Sequence, residues 1–279
     1  MPELPEVETM RRDLERAAAK ATVAHVEVLD EKVIVGPAQE FVTGLTGCRL
    51  TVFGRRGKVL IIGLDNETAL LGHPRMTGRF FALKPKDELT RFARVVLHLD
   101  NGTRVVFDDI RRFGRLELVA DAAQGDAALL RNIGHDALHC DLDHLNKCFA
   151  KRSIPIKVAL LDQKVVAGIG NIYASEILFH CGLDPRTPSC CVKPAEMAAI
   201  ARETERVLAE GVQYRGTTIS DYRTMSGGKG NYQDHLRVYG REGQPCLREG
   251  CEGTIQKVIL STRSTYYCSR CQRKGRTRK

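Results

Sequence analysis

Leu4, Val7, Met10 and Leu14 recur at helical spacing, and Pro5 suits a first helical turn. The pattern predicts an amphipathic helix that anchors the N-terminus. Short β-rich runs follow at 23–29, 49–53, 58–64, 68–71, 79–83, 94–99, 104–107 and 115–119. Asn101-Gly102 lies between two of them and is a strong hairpin signal. Many short strands separated by turn residues predict a β-sandwich or barrel.

The period changes after about residue 130. Residues 142–149, 156–161, 172–181 and 197–212 read as helices. Asn171 is placed to cap the third, and Pro185 and Pro188 follow its end. The stretch 226–231 is glycine-rich and reads as a mobile loop. There is no internal repeat and no heptad pattern. A β-rich half, a helical segment and a small cysteine-bearing tail make an α+β plan.

A chain of 279 residues is long enough for two domains and a sizeable core. No apolar run approaches the ~20 residues that span a bilayer. The acidic N-terminus lacks an apolar signal core, which argues against secretion and for a reducing cytoplasm. Net charge is +9. Residues 241–279 carry ten Lys/Arg against three Glu, so most of the surplus sits in one segment. Such a concentration fits a polyanion partner, most simply nucleic acid, or a solubilising tail.

Four of the ten cysteines sharpen this picture. Cys246 and Cys251 are separated by four residues, Cys268 and Cys271 by two, with sixteen between the pairs. The spacing is that of a zinc ribbon in which four thiolates surround one structural Zn2+. Gly250 and Gly253 help the first knuckle turn, and 258–260 and 266–267 supply two strands. A unit this small needs the metal to fold. The other six cysteines have no ligand spacing. Most are expected to be buried, with the Cys190-Cys191 pair a surface feature.

The opening Met1-Pro2-Glu3-Leu4-Pro5-Glu6 carries candidate chemistry. A small second residue permits removal of the initiator methionine, which leaves Pro2 with a secondary amine. An α-amino group titrates near 8, so it is partly nucleophilic at neutral pH and can attack a carbonyl-like carbon. Glu3 and Glu6 are near enough to move protons. Alternatively, Pro5 starts a helix and the two glutamates complement its dipole.

Further strings join the hexapeptide: Gly54-Arg55-Arg56-Gly57-Lys58, His73-Pro74-Arg75-Met76-Thr77-Gly78, Asp109-Ile110-Arg111-Arg112-Phe113-Gly114 and Ala167-Gly168-Ile169-Gly170-Asn171-Ile172-Tyr173-Ala174-Ser175-Glu176. Together with the cysteine quartet, and in this order, they resemble the formamidopyrimidine-DNA glycosylases, bacterial enzymes of base excision repair. The resemblance runs from residue 2 to Gln272. It implies an N-terminal helix with a two-layered β-sandwich (1–130), a helix–two-turn–helix domain with a mobile lesion loop (131–236), a zinc finger (237–272) and a basic tail (273–279).

The resemblance also implies a mechanism. The damaged nucleotide is flipped out of the duplex. Pro2 attacks C1′, Glu3 protonates the sugar oxygen, and β,δ-elimination cleaves the strand. Lys58 matches a lysine of the elimination steps, and Arg263 a zinc-finger arginine that grips phosphate beside the lesion. Glu6 and Glu176 match acidic residues that organise the N-terminal site. Met76, Arg111 and Phe113 match residues that fill the void, with Arg111 on the orphaned base. His73, Arg152, Asn171 and Tyr239 match phosphate contacts, which set register and salt dependence. Residues 217–232 match the loop that closes over an oxidised purine.

This chain departs from the pattern at four places, one of them Glu252 in place of a frequent glycine. Pro74 replaces a leucine, Phe92 and Arg94 stand where relatives carry phosphate-touching histidines, and the first zinc knuckle is two residues longer. The implied protein works as a monomer on double-stranded DNA containing oxidised bases or abasic sites, in the bacterial cytoplasm and at the nucleoid, with no membrane partner. Two rivals share many of these features: an endonuclease VIII-type glycosylase for oxidised pyrimidines, and a non-catalytic damaged-DNA-binding protein.

Overall fold

The computed structural model describes residues 1–120, 127–218 and 230–274. Most of the expected lesion loop (219–229) and of the basic tail (275–279) therefore lies outside the described residues. The chain divides into two compact units, Met1–Arg131 with Tyr214–Gln233, and Asn132–Gln213 with Asp234–Lys279. None of the described helices is long and apolar enough to cross a membrane.

The first unit is a β-sandwich behind an N-terminal helix, α1 (Leu4–Ala18). One sheet has the strand order β1-β7-β8-β6 and the other β2-β9-β5-β4-β3. Strands β1 (Val23–Val28), β3 (Leu50–Arg56), β4 (Val59–Leu64), β5 (Thr68–His73), β6 (Arg79–Leu83), β7 (Ala93–Leu99), β8 (Arg104–Asp108) and β9 (Arg115–Ala120) correspond to the eight expected runs. The two-residue β2 (Ile34–Val35) and helix α2 (Ala38–Leu45) were not expected. Asn101-Gly102 turns the chain between β7 and β8: the Asn101 side chain accepts from Thr103 N–H at 2.9 Å, and Gly102 has φ +80.

One apolar cluster takes side chains from both sheets and both helices, including Val7, Met10 and Leu14 of α1, Phe41 and Leu45 of α2, and Leu60, Phe80, Val95, Phe107 and Leu116 of the strands. Burying a side chain of this size contributes about 1.5–3 kcal/mol. The helical stripe predicted from the sequence is thus the face by which α1 docks.

The second unit holds α3 (Leu142–Phe149), α4 (Ile156–Leu160), α5 (Asn171–His180) and α6 (Pro194–Gln213), a short parallel pair β10 (His135–Asp136) and β11 (Val166–Ala167), and an antiparallel hairpin β12 (Ile255–Leu260) and β13 (Arg263–Cys268). Three local expectations need correction. Gly170, not Asn171, occupies the cap position of α5, with Asn171 the first helical residue and no side-chain cap bond. The hairpin strands are longer than expected because β12 and β13 stay paired from Ile255↔Cys268 to Leu260↔Arg263. Of the six other cysteines only Cys48 is buried.

Candidate functional site

In the first unit, Pro2 and Glu3 are buried just before α1. Glu3 caps the helix through a reciprocal arrangement. Its carboxylate accepts from the Glu6 N–H, and its own N–H donates to Glu6 Oε2 at 2.7 Å. The other Glu6 oxygen, Oε1, accepts from the Thr217 N–H at 2.7 Å. One carboxylate therefore ties the residue beside Pro2 to the segment around residue 217. Gly216 makes that approach possible: it has φ +82, and a Cβ there would lie 2.7 Å from Glu6 Oε1. No local signal marked the contact of Gly216 and Thr217 with Glu6, because that partner is about two hundred residues away.

Helix α1 packs on β3 and β4. Arg11 donates to the Phe53 carbonyl at 3.1 Å, and Arg55 reaches Glu8 at 3.3 Å. Strand β3 leads into the turn at Gly57, which has φ +56 and whose carbonyl accepts from Arg55 at 2.8 Å. Lys58 follows this turn and is only 6 % exposed, so it is not the solvated strand-end lysine that its sequence context allows.

His73 ends β5. Burial, then the charges of Arg75 and Lys58, hold its imidazole down at about 3. Its Nδ1 accepts from the Arg75 N–H at 3.0 Å, so the neutral ring carries its proton on Nε2. His180 in the second unit is likewise held at about 4, chiefly by burial and the Arg206 charge. Both rings stay neutral in the folded chain while the unfolded chain titrates near 6.5. Below pH ~6.5 the unfolded state takes up protons that the native state refuses, so stability falls as pH drops towards 4. Thermal melts from pH 7 to pH 4 are expected to show this loss, with a shallower slope in His180→Gln; identical slopes would contradict it.

Two turns of the sandwich carry Met76, Arg111 and Phe113. The first, 74–78, joins β5 to β6, and the second, 109–114, joins β8 to β9. Phe113 is 48 % exposed, and the Arg111 guanidinium lies over its ring at 4.7 Å from the centroid. That pairing is a cation–π contact that holds the flat guanidinium against the aromatic face. Arg75 and Arg112 have φ of +55 and +59. The departures find local uses here. Arg94 is buried and donates to the Asp109 carbonyl at 2.9 Å, and the exposed Arg91 guanidinium lies over the Phe92 ring at 4.7 Å.

In the second unit, Lys157 is fully buried and was not singled out from the sequence. Its Nζ donates to Asn171 Oδ1 at 2.7 Å, the Ser264 carbonyl at 3.0 Å and Thr265 Oγ1 at 2.8 Å. A buried ammonium is tolerable only with such partners. Asn171 in turn donates to the Ser264 carbonyl at 2.9 Å and to Tyr239 Oη at 3.4 Å. Its side chain thus joins α5, Tyr239 and β13. Glu176 is fully buried, and its carboxylate accepts from the N–H groups of Arg237, Val238 and Tyr239 at 2.8, 3.1 and 2.8 Å. Burial pushes the pKa of its carboxyl up, against the pull of those three donors. It positions the segment bearing Tyr239. Arg152 pairs with Asp162 at 2.8 Å. Arg263 is exposed beside the hairpin turn, where Ser261 and Thr262 both have positive φ.

The four zinc-ribbon cysteines converge, with all four sulfurs within 4.8 Å of one another. Cys246 and Cys271 sulfurs are 3.8 Å apart, Cys251 and Cys268 3.7 Å. Four sulfurs at ~2.3 Å from a tetrahedral zinc would be about 3.8 Å apart, so the donor set and spacing fit Zn2+. Gly253 leaves the room: a Cβ there would lie 2.6 Å from Cys268 Sγ. Phe179, Val238 and Ile255 pack against the cluster. The quartet is a structural zinc site, with all four positions taken by protein sulfur.

Three family models match the chain: the formamidopyrimidine-DNA glycosylase N-terminal domain over residues 1–116, the H2TH domain of the same family over 133–223, and a zinc finger found in FPG and IleRS over 243–273. The formamidopyrimidine-DNA glycosylase of Ruegeria pomeroyi is 39 % identical over 285 residues, covering 98 % of this chain and 100 % of the relative. That of Moorella thermoacetica is 44 % identical over 261 residues, covering 92 % and 94 %. Two solved structures of the Lactococcus lactis protein also match. One, with DNA containing an abasic site, has a TM-score of 0.91 at 28 % identity. The other, with DNA containing Fapy-dG, has a TM-score of 0.90 at 27 %. Each covers 98 % of this chain and 100 % of that one.

Proposed function

The chain belongs to the formamidopyrimidine-DNA glycosylase family, and from that membership we propose that it excises oxidised purines from duplex DNA and then cleaves the abasic strand. The substrates are 8-oxoguanine and formamidopyrimidines, and the compartment is the reducing cytoplasm, where the zinc thiolates persist. Residues 1–130 carry the chemistry, while 131–236 and 237–272 bind the duplex.

The observation that supports this most strongly is the N-terminal turn. Pro2 is buried beside a glutamate whose backbone is held at 2.7 Å by Glu6. A nucleophile held in place in a dry site is the arrangement that proximity catalysis needs. With Met1 removed, the Pro2 nitrogen attacks C1′ of the everted nucleotide, and the C1′–base bond breaks. Glu3 gives a proton to the sugar oxygen and the ring opens. The resulting iminium of a secondary amine is permanently charged and draws electrons from C2′. Loss of a C2′ proton expels the 3′ phosphate, and a second elimination expels the 5′ phosphate. Lys58, buried and close enough to His73 to depress its basicity, serves the elimination steps. Met76, Arg111 and Phe113 fill the gap left by the nucleotide. His73, Arg152, Asn171, Tyr239 and Arg263 hold phosphates. Bound zinc holds the hairpin that presents Arg263.

Duplexes containing 8-oxoguanine, formamidopyrimidine or thymine glycol, treated with the protein and borohydride, test the reading. Strand nicking with a covalent protein–DNA adduct is expected on the first two. Preference for thymine glycol would favour the oxidised-pyrimidine class, and tight binding without an adduct would leave only a binder.

A further inference from the structure

The geometry points to Asp109 as a positioning residue whose carboxylate fastens the 74–78 and 109–114 turns into one preformed wedge. The inference rests on the proposed base-eversion chemistry. Asp109 is fully buried. Its Oδ1 accepts from Thr77 Oγ1 at 2.5 Å and from the Arg111 N–H at 3.2 Å. Its Oδ2 accepts from the Gly114 N–H at 2.7 Å. The Thr77 hydroxyl oxygen also accepts from the Arg111 N–H at 3.0 Å, so the residue after Met76 is bonded to the residue meant to meet the orphaned base. The backbone of Asp109 is tied as well. Its N–H donates to the Phe92 carbonyl at 3.0 Å, and its carbonyl accepts from Arg94 at 2.9 Å.

The turns thus fastened are tightly shaped. A Cβ at Gly78 would lie 2.4 Å from the Pro74 carbonyl oxygen, and one at Gly114 would lie 2.5 Å from the Phe107 ring. Left-handed backbone at Arg75 and Arg112 costs energy that surrounding bonds must hold in place. Met76, Arg111 and Phe113 come from two turns that, among the described residues, are hydrogen-bonded to each other through this carboxylate and the Thr77 hydroxyl. Pushing a base out of a stack is uphill, and a wedge that must also order itself pays a second entropic cost. Asp109 removes that second cost before DNA arrives.

Asp109→Asn keeps the shape but turns one acceptor into a donor facing either the Gly114 N–H or the Thr77 and Arg111 pair. Single-turnover excision of 8-oxoguanine is expected to fall roughly 10- to 50-fold. Cleavage at a preformed abasic site, where no base must be unstacked, is expected to fall less than about threefold. Thr77→Val should show the same split at smaller size. Equal loss of both activities, or loss of neither, in an Asp109→Asn protein that melts near the wild-type temperature overturns the proposal. If Asp109→Asn does not fold, Thr77→Val decides by the same split. Absence of 8-oxoguanine excision by the wild-type protein would instead strike the proposed function itself.

Discussion

Replacing Pro2 with leucine is expected to lower strand cleavage at 8-oxoguanine by about a thousandfold or more and to eliminate the borohydride-trapped adduct. The substitution acts twice. It removes the secondary amine, and its bulk prevents methionine removal, so residue 2 stays inside a peptide bond. A peptide nitrogen is no nucleophile. The rest of the site should survive, because α1 begins at Leu4 and the Glu3–Glu6 capping bonds involve neither the Pro2 side chain nor its nitrogen. Affinity for a duplex with a stable abasic analogue should therefore stay within about threefold, since phosphate contacts dominate such binding.

Pro2→Ala separates the two effects. Alanine is small enough to allow methionine removal and supplies a primary amine. Its adduct is an imine that must be protonated to draw electrons, whereas the proline adduct is charged by construction. A slower enzyme that still forms the adduct is expected, by about 10- to 100-fold. Wild-type rates from a Pro2→Leu protein still carrying Met1, as read by mass spectrometry, would refute the proposed nucleophile.

Local pattern revealed some of this architecture and was blind to the rest for physical reasons. Helix α1 was legible because one apolar stripe faces one core, and the β7–β8 turn because Asn101-Gly102 favours it. Helix α2 was missed because Gln39, Glu40, Thr43 and Gly44 dilute its apolar face, leaving chiefly Phe41 and Leu45 buried. The Ser261-Thr262 turn has no glycine to announce its positive φ angles. The cysteine quartet was legible because ligand spacing is a local quantity. Lys157 looked like any helix lysine, since two of its acceptors, Ser264 and Thr265, lie more than a hundred residues on. Sequence reads Asn171 as a helix cap and, by resemblance, as a phosphate contact, and only the folded chain shows its side chain bonded to Lys157, Tyr239 and β13. Residue-by-residue resemblance named exposed residues such as Phe113 and Arg263 and buried ones such as Glu3 and Lys58. It did not give the partners of the buried carboxylates Glu6, Asp109 and Glu176, which are mostly backbone N–H groups that any sequence provides, joined at Asp109 by the Thr77 hydroxyl.

Stripping zinc, or replacing Cys268 with alanine, is expected to weaken binding to a lesion duplex by about a hundredfold or more, because metal binding is folding free energy for so small a hairpin. Cys268 is fully buried at the end of β13 and bonds Gln272 in both directions, donating to its Oε1 and accepting its N–H at 2.8 and 3.0 Å. Without the metal, four crowded sulfurs lose the charge that holds them together. Burial and the neighbouring sulfurs already push the Cys271 thiol strongly up. Loss of the hairpin would displace Arg263 and also take Ser264 and Thr265 away from Lys157, leaving a buried ammonium without two of its three acceptors named above. Disorder should then spread from the finger to Asn171 and Tyr239, so that several of the proposed phosphate contacts fail together. Fluorescence anisotropy against metal content measures the effect. Affinity should return on adding zinc to the chelated protein and stay low in the Cys268→Ala variant. Unchanged affinity in protein shown to be zinc-free would break the link between the metal and the DNA-binding face.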